Sequence, residues 1–198
     1  MIGGKHKTRN LPGYSLTELL VVMLLFSMAL LILGQTYIQF MRLSNKTSNA
    51  AAVQQDARFV MEYFARAMRA SEIDYSTPVL PLDSELRLVK QGGQGITIKK
   101  SAPGDVLCAD IASVSCLLVT TDSGATWAPL TSKGVNVDEF QVYVQPTESP
   151  FELSGFNYSN NRQPFAALRL TLTYNARNPR ESYTQTVQTG ISSRVYVR

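Results

Sequence analysis

Side chains able to do chemistry are few in this 198-residue chain and stand far apart. The only histidine, His6, lies in a short basic stretch at the N-terminus, and if residues 1–13 are removed no Ser-His-Asp set can form. Asp105, Asp110, Asp122, Asp138 and Glu139 are scattered, and none follows a calcium-loop spacing. The adjacent Asp138 and Glu139 read as surface acids. Gly92-Gly93-Gln94-Gly95 reads as a turn and not a phosphate loop, since no GK[ST] or helix follows. Cys108 and Cys116 fit neither a CxxC redox site nor a zinc ligand set. In a cytosolic protein they would be free thiols, whereas in an exported domain they would pair. Such a bridge would close a loop of nine residues, worth about 2.5 kcal/mol on the chain-entropy estimate. Two glycan-acceptor matches, at Asn45 and Asn157, are too short to carry weight. No catalytic residue, cofactor or metal is expected from this inventory.

One acid stands out by position. Glu18 sits at the edge of LLVVMLLFSMALLIL, residues 19–33, fifteen apolar or small residues. As a helix these span roughly 22 Å, and with Leu16, Tyr37, Ile38 and Phe40 the run can cross a hydrocarbon core of ~30 Å. A charge inside a bilayer costs about 2.5–3.5 kcal/mol on insertion scales, so its presence asks for a purpose. Lys5, Lys7 and Arg9 precede the run, which predicts a cytoplasmic N-terminus. An ordinary secretory signal would need a small-residue cleavage site after the apolar core, and GQTYIQFMRL is a poor one. A plain membrane anchor accounts for the apolar run but not for the acid.

Gly13-Tyr14-Ser15-Leu16-Thr17-Glu18 followed by a long apolar helix resembles the class III signal of type IV prepilins and pseudopilins. The resemblance implies cleavage between Gly13 and Tyr14 by a membrane-embedded prepilin peptidase and N-methylation of Tyr14. Glu18 then becomes the fifth residue of the mature chain. Tyr14 replaces the usual phenylalanine and keeps a large aromatic there. Cleavage would create a positive amine on Tyr14, one helical turn from Glu18. An amine and a carboxylate ~4 Å apart attract by about 4 kcal/mol at an effective dielectric near 20. The resemblance implies that Glu18 meets the amine of a neighbouring subunit and sets axial register, while the apolar surface supplies adhesion.

The elements that must present these residues can be read in order. Residues 14–37 form the transmembrane or filament-core part of a helix that continues, amphipathic, through residues 38–75. Val53, Ala57, Val60, Phe64 and Met68 make one apolar stripe. Asp56, Glu62 and Arg66 are assigned to a solvated face, Glu62 and Arg66 as an i, i+4 pair. The segment beginning at Asp74 and reaching Pro78 ends the helix. Gly34 is a candidate weak point in a run that lacks the proline many pilins carry there.

Residues 76–198 read as β-rich. ELRLVK and ITIKK flank the glycine turn as a hairpin, and LLVTT follows Cys116 as a strand. Val135, Val137, Phe140, Val142 and Val144 are the expected inward residues of another strand. Residues 146–163 read as a surface loop. Residues 165–175 and 182–197 read as a hairpin around ARNPRE. The stretch from Thr120 to Trp127 resembles the Asp-box of sialidase propellers, which implies that Asp122 caps a turn, Gly124 takes positive φ and Trp127 packs over it. A single copy reads as a self-capping hairpin. The distal pattern of strands resembles, more loosely, the larger minor pilins and J- or W-like pseudopilins.

The expected fold is therefore α+β, a long N-terminal helix packed on an antiparallel sheet domain, pilin-like. The expected role is a structural subunit, a minor pilin or minor pseudopilin of a type IV pilus or type II secretion filament. Its partners would be prepilin peptidase, other pilin or pseudopilin subunits, an inner-membrane assembly platform and, before assembly, membrane lipid. Its location would be the bacterial inner membrane, with the globular domain exported, and then a periplasmic or surface filament. Removing Lys5, Lys7 and Arg9 leaves 16 basic against 15 acidic residues, so nucleic acid is not an expected partner. The rival classes are a ligand- or DNA-binding module on a pilin stem, and a simple membrane-anchored exported domain.

Overall fold

A helix whose apolar residues recur at three- and four-residue steps buries one stripe, and its burial must be matched by sheets with period-two alternation. The computed structural model of the protein shows this pairing in an α+β layout. It describes residues 13–76, 82–108, 113–150, 153–154, 157–158 and 162–193. Helix α1 runs from Leu16 to Ala70 and is followed, among the described residues, by eleven strands and a single turn of 3-10 helix at Pro179–Glu181. The chain divides into two units, residues 1–43 and residues 44–198.

In the second unit two antiparallel sheets share one core with the later part of α1. The first sheet has the order β1-β3-β4-β5-β6, from strands Ser71–Ile73, Glu85–Lys90, Gly95–Lys100, Leu117–Thr120 and Ala128–Pro129. The second has the order β11-β10-β7-β2, from Tyr183–Ser192, Phe165–Tyr174, Val135–Gln145 and Leu82–Asp83. Leu153–Ser154 (β8) and Asn157–Tyr158 (β9) form a small separate ladder. The expected stripe is buried: Val53, Ala57, Val60, Phe64 and Met68, joined by Ala67. These side chains pack in one cluster with Leu86, Leu88, Ile96, Ile98 and Leu117 of the first sheet, and with the inner faces of β7 and β10 in the second.

The parity of β7 changes midway. Val135 and Val137 face inward, then Phe140, Val142 and Val144 do. The ladder to β10 shifts register at the same place, with Thr171 opposite Glu139 but Leu172 opposite Val137. Asp138 is the extra residue, a β-bulge that turns the strand so both apolar sets reach the core. Asp138 is exposed and Glu139 half-exposed, surface acids as expected, and both are hydrogen-bonded. The Asp138 carboxylate accepts hydrogen bonds from Asn136 Nδ2 and Thr173 Oγ1, and Glu139 accepts from Thr171 Oγ1 with Arg169 Nε 3.4 Å away.

Three expectations need correction. The helix stops at Ala70 and not at Asp74–Pro78, because Ser71, Glu72 and Ile73 pair with Lys90, Val89 and Leu88. Their backbone groups are satisfied by the neighbouring strand, which replaces further helical bonds. The Glu62–Arg66 ion pair does not form. Asp56 is not a merely solvated charge, since its carboxylate accepts from Ser132 N at 2.8 Å and Ser132 Oγ at 2.7 Å. The helix is thereby tied to the turn that precedes β7.

The β3–β4 hairpin forms as expected, with Gly92 and Gly93 at φ of 116° and 85°, which only glycine adopts without strain. β10 and β11 pair over ten residues each, although residues 194–197 of the expected strand lie outside the described residues. Residues 77–81 and much of the expected loop at residues 146–163 also lie outside them.

Phe64 is the largest helix side chain in the shared core and is about 1% exposed. Phe64→Ala is expected to cost about 3–5 kcal/mol through lost transfer energy and the cavity left behind. Chemical denaturation of the full chain in detergent measures this, and a loss below 1 kcal/mol would mean the stripe does not hold the two sheets.

Candidate functional site

Ser15 starts α1 as its N-cap. Its carbonyl accepts from the backbone N–H groups of Glu18 and Leu19, and its Oγ accepts from Glu18 N at 3.2 Å. Ser and Asp lead at this position because their oxygen satisfies one of the orphan amides of the first turn. Glu18 is the third helical residue, where a negative charge also lies favourably against the helix dipole. Ser15-x-x-Glu18 has the spacing of a capping box, a signal present in the sequence that the sequence reading did not use. Only half of the box forms. The Glu18 amide is held by Ser15, but the Glu18 carboxylate makes no hydrogen bond or ion pair among the described residues.

Gly13 and Tyr14 precede the helix and are exposed, Tyr14 to 85%. Because the helix begins at Leu16, Tyr14 does not lie on one helical face with Glu18, as the sequence reading expected. The Gly13–Tyr14 peptide is accessible, and no atom lies within 4 Å of where a Gly13 Cβ would sit. The basic residues Lys5, Lys7 and Arg9, with His6, lie outside the described residues.

After Glu18 the helix is apolar and bare. Every residue from 13 to 48 is exposed, and the most apolar 18-residue window of α1 has a mean hydropathy of 2.6 with none of it buried. The helix is long and apolar enough to cross a membrane. Two hydroxyls within it are bonded along the helix: Ser27 Oγ donates to Met23 O and Thr36 Oγ1 donates to Ile32 O, both at 2.8 Å. Such back-bonding removes the cost of placing a hydroxyl in hydrocarbon. Gly34, the expected weak point, lies within the unbroken helix.

The other singled-out residues lie in the second unit. Cys108 and Cys116 are bonded, with their Cα atoms 5.4 Å apart. Asp110, inside that loop, is outside the described residues. Trp127, expected from the Asp-box likeness over the Asp122 turn, belongs to a small second apolar cluster. It packs on Cys108, Cys116 and Leu118, and Lys99 Nζ lies 4.1 Å from its ring centroid in a cation–π contact. The turn itself behaves as expected. Asp122 accepts from Thr120 Oγ1, Thr126 Oγ1 and Thr126 N, and Gly124 has φ of 98°. Those bonds, Thr120's foremost, hold the Asp122 carboxyl well below the usual carboxylate range.

Among the described residues no group of three or more His, Cys, Asp or Glu side chains could hold a metal ion. Gly13, Tyr14 and Glu18 are neighbours along the chain, and each of them is exposed. No protein-family model, characterised protein or solved structure matches the chain.

The Asp122 turn generates a pH prediction. With its folded value depressed, the carboxylate contributes stability above the ordinary carboxylate range and loses it as pH falls through the folded value. The melting-temperature gap between the protein and its Asp122→Asn variant is expected to be widest near neutral pH and to narrow in strong acid. A gap independent of pH would show that the three hydrogen bonds do not favour the ionised form.

Proposed function

We propose that this chain is a type IV pilin-like structural subunit, a minor pilin or minor pseudopilin, made as a precursor and trimmed after Gly13. One observation carries the reading. Glu18, whose carboxylate has no partner among the described residues, sits in the first turn of a helix whose following apolar surface is exposed. Unsatisfied apolar surface of this extent marks a membrane or a protein neighbour. A lone acid at its edge is tolerable in either setting only when a cation reaches it. A new amine at Tyr14 of a second subunit is such a cation, and the exposed Gly13–Tyr14 peptide is where it would be made.

In this reading membrane lipid covers the helix first, with the N-terminus cytoplasmic and the second unit exported. Neighbouring helices replace the lipid when an inner-membrane assembly platform moves the subunit into a periplasmic or surface filament. Prepilin peptidase makes the cut, and the chain itself catalyses nothing. The distal β domain supplies contacts to neighbours and not a reaction.

Mass spectrometry of the membrane-extracted protein is expected to find a chain beginning at N-methylated Tyr14. An intact Met1 would replace this reading with a plain membrane anchor. Glu18→Ala and Glu18→Gln precursors are expected to be trimmed normally but to enter filaments at least about tenfold less, since a factor of ten corresponds to only 1.4 kcal/mol of lost pairing. Incorporation at the unaltered yield would remove the acid–amine contact from the assembly step.

A further inference from the structure

An open sheet edge is a row of backbone N–H and C=O groups that another extended chain can pair with, and natural sheets blunt such edges by keeping them short or by placing proline or charge on them. Three of the four edges of the two large sheets follow that rule. β1 has three residues, β2 has two, and β6 has two, one of them Pro129. The fourth does not. β11 is ten residues long, pairs with β10 in one unbroken register, and contains no charged residue and no proline. Among the described residues no strand pairs with its other side.

The groups on that open side follow from the ladder. Ser193 N donates to Pro164 O, so residue 193 directs its backbone at the β10 side. Antiparallel strands alternate, and the N–H and C=O groups of Thr184, Thr186, Gln188, Gly190 and Ser192 therefore point away from β10. The alternate row is the inner one. Its Tyr183, Val187 and Ile191 pack against the core but stay only partly covered. The core thus reaches β11 with its apolar row unfinished.

We propose that β11 is a docking edge for an extended segment of a different polypeptide, which joins the second sheet as an antiparallel strand. Only an extended backbone offers donors and acceptors at the repeat of these groups. The segment carries apolar side chains at alternate positions, completing the row beside Val187 and Ile191, and small polar ones beside Thr184, Thr186 and Gln188. A second copy of this chain fits less well. The other edges are too short to pair along β11. An antiparallel β11–β11 pair has its two-fold axis normal to the sheet, which sets the two α1 helices packed on it running in opposite directions. Chains anchored through α1 in one membrane run the same way. A parallel pair turns one sheet over and brings the unfinished apolar row beside the exposed polar one. The edge belongs to the second unit, and trimming after Gly13 has no part in it.

Hydrogen exchange at single amides, followed by NMR on the full-length protein in detergent micelles, tests this. The probe is a capped peptide of alternating valine and threonine with a lysine at each end. In the free protein the odd-numbered amides from 185 to 191 are expected to be protected by β10, and the even-numbered amides from 184 to 192 to exchange freely. Saturating peptide is expected to slow the even-numbered set at least about tenfold and to leave the odd-numbered set unchanged. A peptide N-methylated on its threonines, whose N–H groups face β11, is expected to lose the effect, and one N-methylated on its valines to keep it. Gln188→Pro removes one open-edge N–H and no bond to β10, so peptide binding is expected to weaken at least about tenfold with the odd-numbered protection retained. The proposal is overturned if the even-numbered amides are already protected in dilute protein, or if millimolar peptide leaves them exchanging freely. It is equally overturned if the two N-methylated peptides act alike. Protection that rises with protein concentration alone would make a second copy the occupant and overturn the choice of a different polypeptide.

Discussion

The packing of Phe64 and Met68, with Val53, Ala57 and Val60, against the inner faces of two sheets is the contact from which the second unit is built. Neither sheet can stand alone, since each has one apolar face that must leave water. The helix stripe is common to both, and the resulting cluster is continuous from Val53 to Leu172. Backbone and polar ties then place β7 against that cluster. Ser132 bonds to Asp56 on the helix, Val137 N donates to Ser115 O, and the bulge at Asp138 is fastened by Asn136 and Thr173. These polar bonds are short-range and directional, so they choose a register where the hydrophobic term is indifferent to it.

The same helix carries two kinds of apolar surface. From residue 53 onward it is amphipathic, with a stripe that the sheets cover. Residues 19–33, before it, are apolar apart from Ser27 and are exposed all round. A helix that is apolar all round needs a hydrophobic environment from outside, whether lipid or neighbouring helices. Glu18 lies at the start of that part, held by Ser15 through its amide and not through its carboxylate. Capping thus fixes where the acid sits through its amide and leaves the carboxylate without a partner among the described residues.

Much was legible before any coordinates. The stripe of Val53, Ala57, Val60, Phe64 and Met68 follows from helical periodicity, and the β3–β4 and β10–β11 hairpins follow from alternation and glycine turns. Even the β7 bulge was written in the chain as a change of apolar parity between Val137 and Phe140. The Ser15-x-x-Glu18 cap is equally local. The resemblance of the Trp127 segment to an Asp-box foretold the Asp122 turn, whose bonds are all within a few residues. Trp127 found Lys99 and the disulfide, partners set by sheet pairing and not by neighbours in sequence.

By itself, the amino-acid sequence determined whatever depends on neighbours within about one turn or one strand: the apolar run, the acid at its edge, the helix face and the hairpins. These are decided by periodicity and backbone chemistry over a few residues. Only the tertiary structure decided that the helix ends at Ala70, that Asp56 reaches Ser132 and that Arg66 leaves Glu62. Each of these turns on which distant strand arrives to offer a hydrogen bond or exclude water. That choice belongs to the global packing of helix and sheets, where burial energy summed over the whole core outweighs any single local preference.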